Sequence, residues 1–149
     1  MCKVYQNYIS GSWCDSDNGS RFDNINPADH DDHIGSFPIS KAADMNRAVE
    51  AARSAFDSWR LTPPPVRGEI MRRAADLMAS RKDDLARLET REMGKTLIET
   101  HGDVQEGIDT AYFAFGQSTR LNGETIPSEL PDKFCITTRM PLGVVGLIT

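Results

Sequence analysis

Cysteine, histidine and the acidic side chains are the residues here that could do chemistry, and their spacing decides which kind. Cysteines stand at Cys2, Cys14 and Cys135. A thiolate acts as a nucleophile in an electropositive or base-assisted setting, and the sequence around each of the three supplies none. Their number is odd, no Cys-x-x-Cys occurs, and the spacing fits no zinc pattern. His30, His33 and His101 do not complete a ligand set. His30 and His33 lie in ADHDDH beside Asp29, Asp31 and Asp32, which invites a metal reading. Acidic and polar residues also favour turns through local hydrogen bonds, and we read this stretch as a solvated turn. Glu89 and Glu92 precede Lys95 and suggest local helix pairs, each contributing a few tenths of a kcal/mol. Arg72, Arg73, Arg81 and Lys82 read as solvated helix faces. The closing GVVGLIT is not a Gly-x-Gly-x-x-Gly fingerprint, and no helix start follows it.

These side chains need elements to hold them. Tyr8-Ile9, Ser10-Gly11 and Ser12-Trp13 predict a tight hairpin with apolar flanks. Phe22–Ile25 and Ile34–Phe37 read as short extended pieces, punctuated by Asn26-Pro27 and Phe37-Pro38. The period then changes. Met45, Ala48, Val49, Ala52, Ala55, Phe56 and Trp59 recur at steps of three and four, the stripe of an amphipathic helix, with Ser40 as its N-cap. Thr62-Pro63-Pro64-Pro65 breaks that helix and opens the next. The second stripe is Val66, Ile70, Ala74, Leu77 and Met78. Ser80 with Asp83 predicts the cap of a third helix carrying Leu85 and Leu88, ending at Gly94-Lys95. The fourth helix has the clearest stripe: Leu97, His101, Val104, Ile108, Ala111, Tyr112 and Phe115. On it, His101 reads as a half-buried structural residue. Gly102, Gly107 and Gly116 each cost about 0.5–1 kcal/mol relative to alanine, so close packing is expected at them. After Asn122-Gly123, Pro127 and Pro131, the alternation Phe134, Ile136, Thr138, Met140 predicts a half-exposed strand. Pro141 ends it, and Gly143–Thr149 reads as a strand apolar on both faces, suited to a parallel sheet.

Composition bounds the partners. The chain of 149 residues has a formal net charge of -5 and a pI near 5.1, with basic residues scattered, so nucleic acid is not expected as a partner. No apolar run approaches the ~20 residues of a membrane span. The N-terminus MCKVYQNYISGSW has no signal-peptide apolar region. A cytoplasmic protein without a membrane partner is expected.

The stretches YISGSW, NINPAD, AVEAARSAFDSW, RLETREMGKTLIE, LNGETIPSEL and PLGVVGLIT, in this order, span nearly the whole chain from Tyr8 to Thr149. Together they closely resemble the N-terminal part of the NAD(P)-dependent aldehyde dehydrogenase superfamily. The resemblance implies an α/β fold: a short β-hairpin, four or so helices, an oligomerisation strand and the first parallel strand of a Rossmann-like sheet. It implies that residues 1–132 form the N-terminal part of the cofactor-binding domain, with the hairpin region at 8–38 and helices over 40–121. Residues 133–141 would then be the oligomerisation strand. Residues 142–149 would be the first strand of the dinucleotide-binding sheet, cut before a Pro-Trp-Asn loop.

The family oxidises an aldehyde or semialdehyde to a carboxylic acid with NAD or NADP, using an asparagine, a glutamate and a nucleophilic cysteine. None of these three has a counterpart here, so no catalytic residue is assigned and the chain alone is expected to be inactive. By resemblance, Ile148 and Thr149 border the cofactor in a full-length enzyme, and tight binding to this chain alone is not expected. Asn24, Ile25 and Asp103 match positions that hold a monovalent cation in some members. A homo-oligomer, dimer or tetramer, is implied through the 133–141 strand. The alternative is a non-catalytic module acting through subunit contacts, or without activity. An apolar closing strand with open edges also predicts poor solubility, partial disorder after about Leu121, or self-association.

Overall fold

Ser10 and Gly11 both take positive φ, 52° and 79°, the backbone of a two-residue hairpin turn. They join β1 (Asn7–Ile9) to β2 (Ser12–Cys14), with Tyr8 opposite Trp13. The two rings lie 4.8 Å apart between centroids, a cross-strand aromatic pair of the kind that stabilises small hairpins. A computed structural model describes residues 3–149; Cys2 lies outside them. β3 (Arg21–Ile25) and β4 (His33–Pro38) form a second antiparallel pair, with Phe22 opposite Phe37 and an irregularity at Asn24/Ile25. The Lys3–Tyr5 segment runs alongside β4, where Tyr5 N–H donates to the Ser36 carbonyl at 2.9 Å and Ser36 N–H donates to that of Lys3 at 2.8 Å. Tyr5 stacks on Phe37.

Four helices follow: α1 (Ala42–Leu61), α2 (Pro64–Ser80), α3 (Lys82–Met93) and α4 (Leu97–Gln117). α4 is the centre, packed against both α2 and α3. Its expected stripe is buried at Val104, Ile108 and Ala111, joined by Thr100, while Tyr112 of that stripe is exposed. Ala86 of α3 joins Val104 and Ile108 in the core, flanked by Met78, Leu85 and Leu97. Tyr112 Oη donates to Asp76 at 2.7 Å, tying α4 to α2. Arg72 grips Asp76 and Glu69 from the same helix. Gly94 ends α3 in the left-handed conformation, φ 76°, as the sequence predicts.

Several local expectations fail, each for a tertiary reason. The cap of α1 is not Ser40: the helix starts one position later, with Lys41 as N-cap. Ser40 exchanges hydrogen bonds with Asn7 on β1 instead. The cap is supplied from inside the helix by the buried Asp44, whose carboxylate accepts from the Lys41 N–H at 2.8 Å and the Asp17 N–H at 3.0 Å. Those two backbone donors, with Arg47 behind them, hold its carboxyl below its usual range. Ser80 and Asp83 do not cap α3; Ser80 donates to the Leu77 carbonyl within α2. The stripe expected on α2 is only partly buried: Met78 flanks the core and Ala74 is half-buried, whereas Val66, Ile70 and Leu77 are about half exposed. The face it buries is the small one, Gly68 and Ala75, because close approach to α4 selects small residues over bulky ones. A Cβ on Gly68 would land on the Ser118 side chain.

Close packing holds at only one of the three α4 glycines. Gly107 faces the Met78 methyl, which a Cβ would meet at 3.0 Å, whereas Gly102 and Gly116 face open space. Beyond α4, the extended 133–141 strand shrinks to β6 (Cys135–Ile136), paired antiparallel with β5 (Thr125–Ile126). Residues 142–149 form no strand, since no other described segment lies alongside to supply ladder hydrogen bonds. Leu142 and Ile148 are 98% and 99% exposed.

Candidate functional site

The loop between β3 and β4 is built by its own polar side chains. Asn26 Oδ1 accepts from the Ala28 N–H at 2.9 Å, and its amide nitrogen donates to Asp32 at 3.1 Å. The Asn26 N–H donates to the Asp32 carbonyl at 3.0 Å and closes the loop. This is the turn read from ADHDDH, with Asp32 facing inward. Arg91 on α3 clamps Asp32 in a two-point ion pair, at 2.8 Å from Nε and 2.6 Å from Nη2. The Arg91 guanidinium, then Asn26, lowers the Asp32 carboxyl from 3.8 to about 2. Pro27 and Ala28 lie against Gly94, so the loop docks on the C-terminal end of α3.

One residue beyond Gly94, Lys95 reaches Asp103 on α4 at 2.6 Å. The hydrogen bond from Lys95 holds the Asp103 carboxyl low, and the same bond raises the Lys95 ammonium. Glu89 is beside them. Its burial, then the neighbouring Asp103 carboxylate, pushes its carboxyl up. The local helix pairs expected for Lys95 are therefore replaced by a contact across the α3–α4 corner. Gly94 is the signal that could have revealed it, because a left-handed C-terminal residue sends the next side chain off the helix. Beneath this corner Thr90 and the fully buried Thr100 share a hydroxyl–hydroxyl hydrogen bond of 2.8 Å.

Among the described residues no recorded contact joins the residues proposed for a monovalent cation. Asn24 and Ile25 are at the irregular end of β3, before the loop that docks on Gly94. Asp103 is on α4, with an ammonium already against its carboxylate. His33 begins β4, and His101 is half-buried with Nε2 3.6 Å from Asp83.

The remaining candidates are far from this corner in the chain. Cys14 and Cys135 are free thiols on β2 and β6, opposite Asn7 and Ile126. Ile148 and Thr149 are exposed, with no strand under them. A dinucleotide needs the crevice at the carboxyl ends of paired parallel strands, and the described residues build no such crevice. No helix among the described residues is long and apolar enough to cross a membrane.

The fold as a whole is shared with one protein class. The sequence profile of the aldehyde dehydrogenase family matches residues 13–149, and the chain belongs to that family. It is 41% identical over 146 residues to the alpha-ketoglutaric semialdehyde dehydrogenase of Bacillus subtilis, covering 98% of this chain and 30% of the relative. It is 40% identical to the glutarate-semialdehyde dehydrogenase of Pseudomonas aeruginosa, covering 97% of this chain and 30% of that protein. The crystal structure of an E. coli NADP-dependent enzyme superposes with a TM-score of 0.85 at 36% identity, over 91% of this chain and 28% of that one. The chain therefore spans about 30% of the length of the curated relatives it matches.

Proposed function

We propose that this chain is the N-terminal scaffold of an NAD(P)-dependent aldehyde dehydrogenase, and that on its own it does not turn over substrate. The observation that carries the reading is the family match over residues 13–149 joined to the short share of each relative covered. The relatives' names favour a semialdehyde as substrate, oxidised to the carboxylic acid. Supplying redox equivalents is the cofactor's role in such chemistry, and a protein contributes binding and orientation. The described residues do not fit a dinucleotide: Ile148 and Thr149, the positions proposed to border it, stand on an unpaired, exposed segment. Cofactor contact by these two residues is proposed only where parallel strands cover them. Neither Cys14 nor Cys135 is a nucleophile in this reading, since each thiol is on a short strand rather than in a pocket with a base.

Asn24, Ile25 and Asp103 are proposed to hold a monovalent cation. Backbone carbonyls and a carboxylate suit a hard ion, which must displace Lys95 from Asp103. Self-association is proposed through residues 133–141, where Phe134, Ile136 and Met140 are exposed beside the free edge of β6. A cytoplasmic location completes the proposal. The second reading, a non-catalytic module acting through such contacts, is favoured by the same exposed edge. Sequencing the gene beyond the codon for Thr149 separates the two. A continuation opening Pro-Trp-Asn is expected, and an in-frame stop there favours the module.

A further inference from the structure

A cavity of about 660 Å³ opens between the α1–α2 corner and the segment after β6, and three arginines line it: Arg60, Arg67 and Arg139. No carboxylate lines it; Pro64 and Thr138 are among the other walls. Arg60 pairs with Asp57 at 3.0 Å on the open face of α1. Among the described residues, neither Arg67 nor Arg139 takes part in any ion pair. The Arg67 Nε is buried and has no hydrogen-bond partner. Its guanidinium is held by the Trp59 ring at 5.9 Å rather than by an acid. Arg67 is also in the first turn of α2, which begins at Pro64. A cation there adds to the positive end of the helix dipole instead of opposing it. Two guanidiniums without an acid, the Asp57-paired Arg60 and a helix N-terminus leave the cavity net positive, and an anion inside it would be attracted.

We propose that this cavity is an oxyanion-binding site, taking a phosphate or carboxylate group. A guanidinium offers a planar fork that bonds either group at two points, and the Thr138 hydroxyl adds a neutral donor. The site is separate from the Lys95–Asp103 corner and does not depend on the aldehyde dehydrogenase reading. Its ligand is either a free oxyanion or a carboxylate side chain from a second copy of the chain.

The test is a titration of the whole chain with inorganic phosphate at constant ionic strength, read from arginine Nε–H signals by NMR. Saturable shifts are expected at Arg60, Arg67 and Arg139, and not at Arg73 on the outer face of α2. Arg139→Gln is expected to weaken binding roughly tenfold, the loss of one charge-assisted contact, with an unchanged circular dichroism spectrum. Arg60→Gln is the second variant should the first misfold. Sedimentation equilibrium identifies the source: association that phosphate dissociates points to a partner's carboxylate, and an association state that phosphate leaves unchanged points to a free oxyanion. Shifts that do not saturate, that appear equally at Arg73, or that both variants leave intact would overturn the proposal.

Discussion

Asp32 shows how one side chain anchors a loop to a helix. Its carboxyl is lowered from 3.8 to about 2 by Arg91 first and Asn26 second. A group with a lowered folded-state value favours folding when ionised. Its contribution is therefore complete above about pH 4 and is lost as pH falls through about 2. Arg91→Gln should lower the melting temperature at pH 7 by several degrees, and the gap to the parent should close between pH 4 and pH 2. Melting curves across that range, followed by circular dichroism, check it; a gap independent of pH would assign the loss to packing alone. Lys95 supplies a second residue-level test. It occupies the Asp103 carboxylate at 2.6 Å, so Lys95→Met should make stability more sensitive to potassium. The expected outcome is a rise in melting temperature in potassium chloride over choline chloride that is larger in the variant than in the parent. Equal salt responses would remove Asp103 from the proposed cation site.

Helices report packing more directly than single side chains do. Gly102 and Gly116 face open space within α4, so alanine at either position should stabilise the chain by about 0.5–1 kcal/mol through helix propensity. Alanine at Gly107 meets the Met78 methyl at 3.0 Å and should gain less. Urea unfolding of the three variants measures the difference, and equal gains would mean that Met78 yields freely. These elements also show what the sequence could convey. The Ser10-Gly11 turn, the α4 stripe and the Gly94 terminus were legible because each depends on local backbone chemistry. Ser40 and Ser80 misled because a nearby acceptor, Asn7 for one and the Leu77 carbonyl for the other, competes for the same hydroxyl. The α2 stripe misled in part: its Met78 does reach the core, but full burial went to Gly68 and Ala75, which fit against α4. The arginine cavity was hidden for another reason, since it joins residues on different elements and spacing along the chain carries no trace of such a meeting. Of the Lys95–Asp103 contact one half was legible, Gly94 turning Lys95 off α3, but not the partner on α4.

At the scale of the molecule, a small helical core supports a broad apolar surface. Ala86, Val104 and Ile108 are its buried centre, while Trp59, Ile98, Phe113 and Phe134 are substantially exposed. The segment 142–149 has no ladder hydrogen bonds among the described residues. Its amides should exchange with solvent at near-intrinsic rates in dilute samples, and the chain should self-associate as concentration rises. Hydrogen exchange and light scattering check both. Protected amides at 143–149 in a sample that stays monomeric would show that the strand forms without a neighbour. Family membership was legible because six stretches keep one order along the chain. The open surface was not, since what covers an apolar face is a property of the assembled fold. The most direct test is turnover itself: incubate the purified chain with NAD or NADP and a semialdehyde, and follow absorbance of the reduced cofactor. The account predicts a rate equal to the no-protein blank. Reduced cofactor accumulating in proportion to the amount of chain, with acid formed in equal amount and no larger enzyme in the sample, would contradict it.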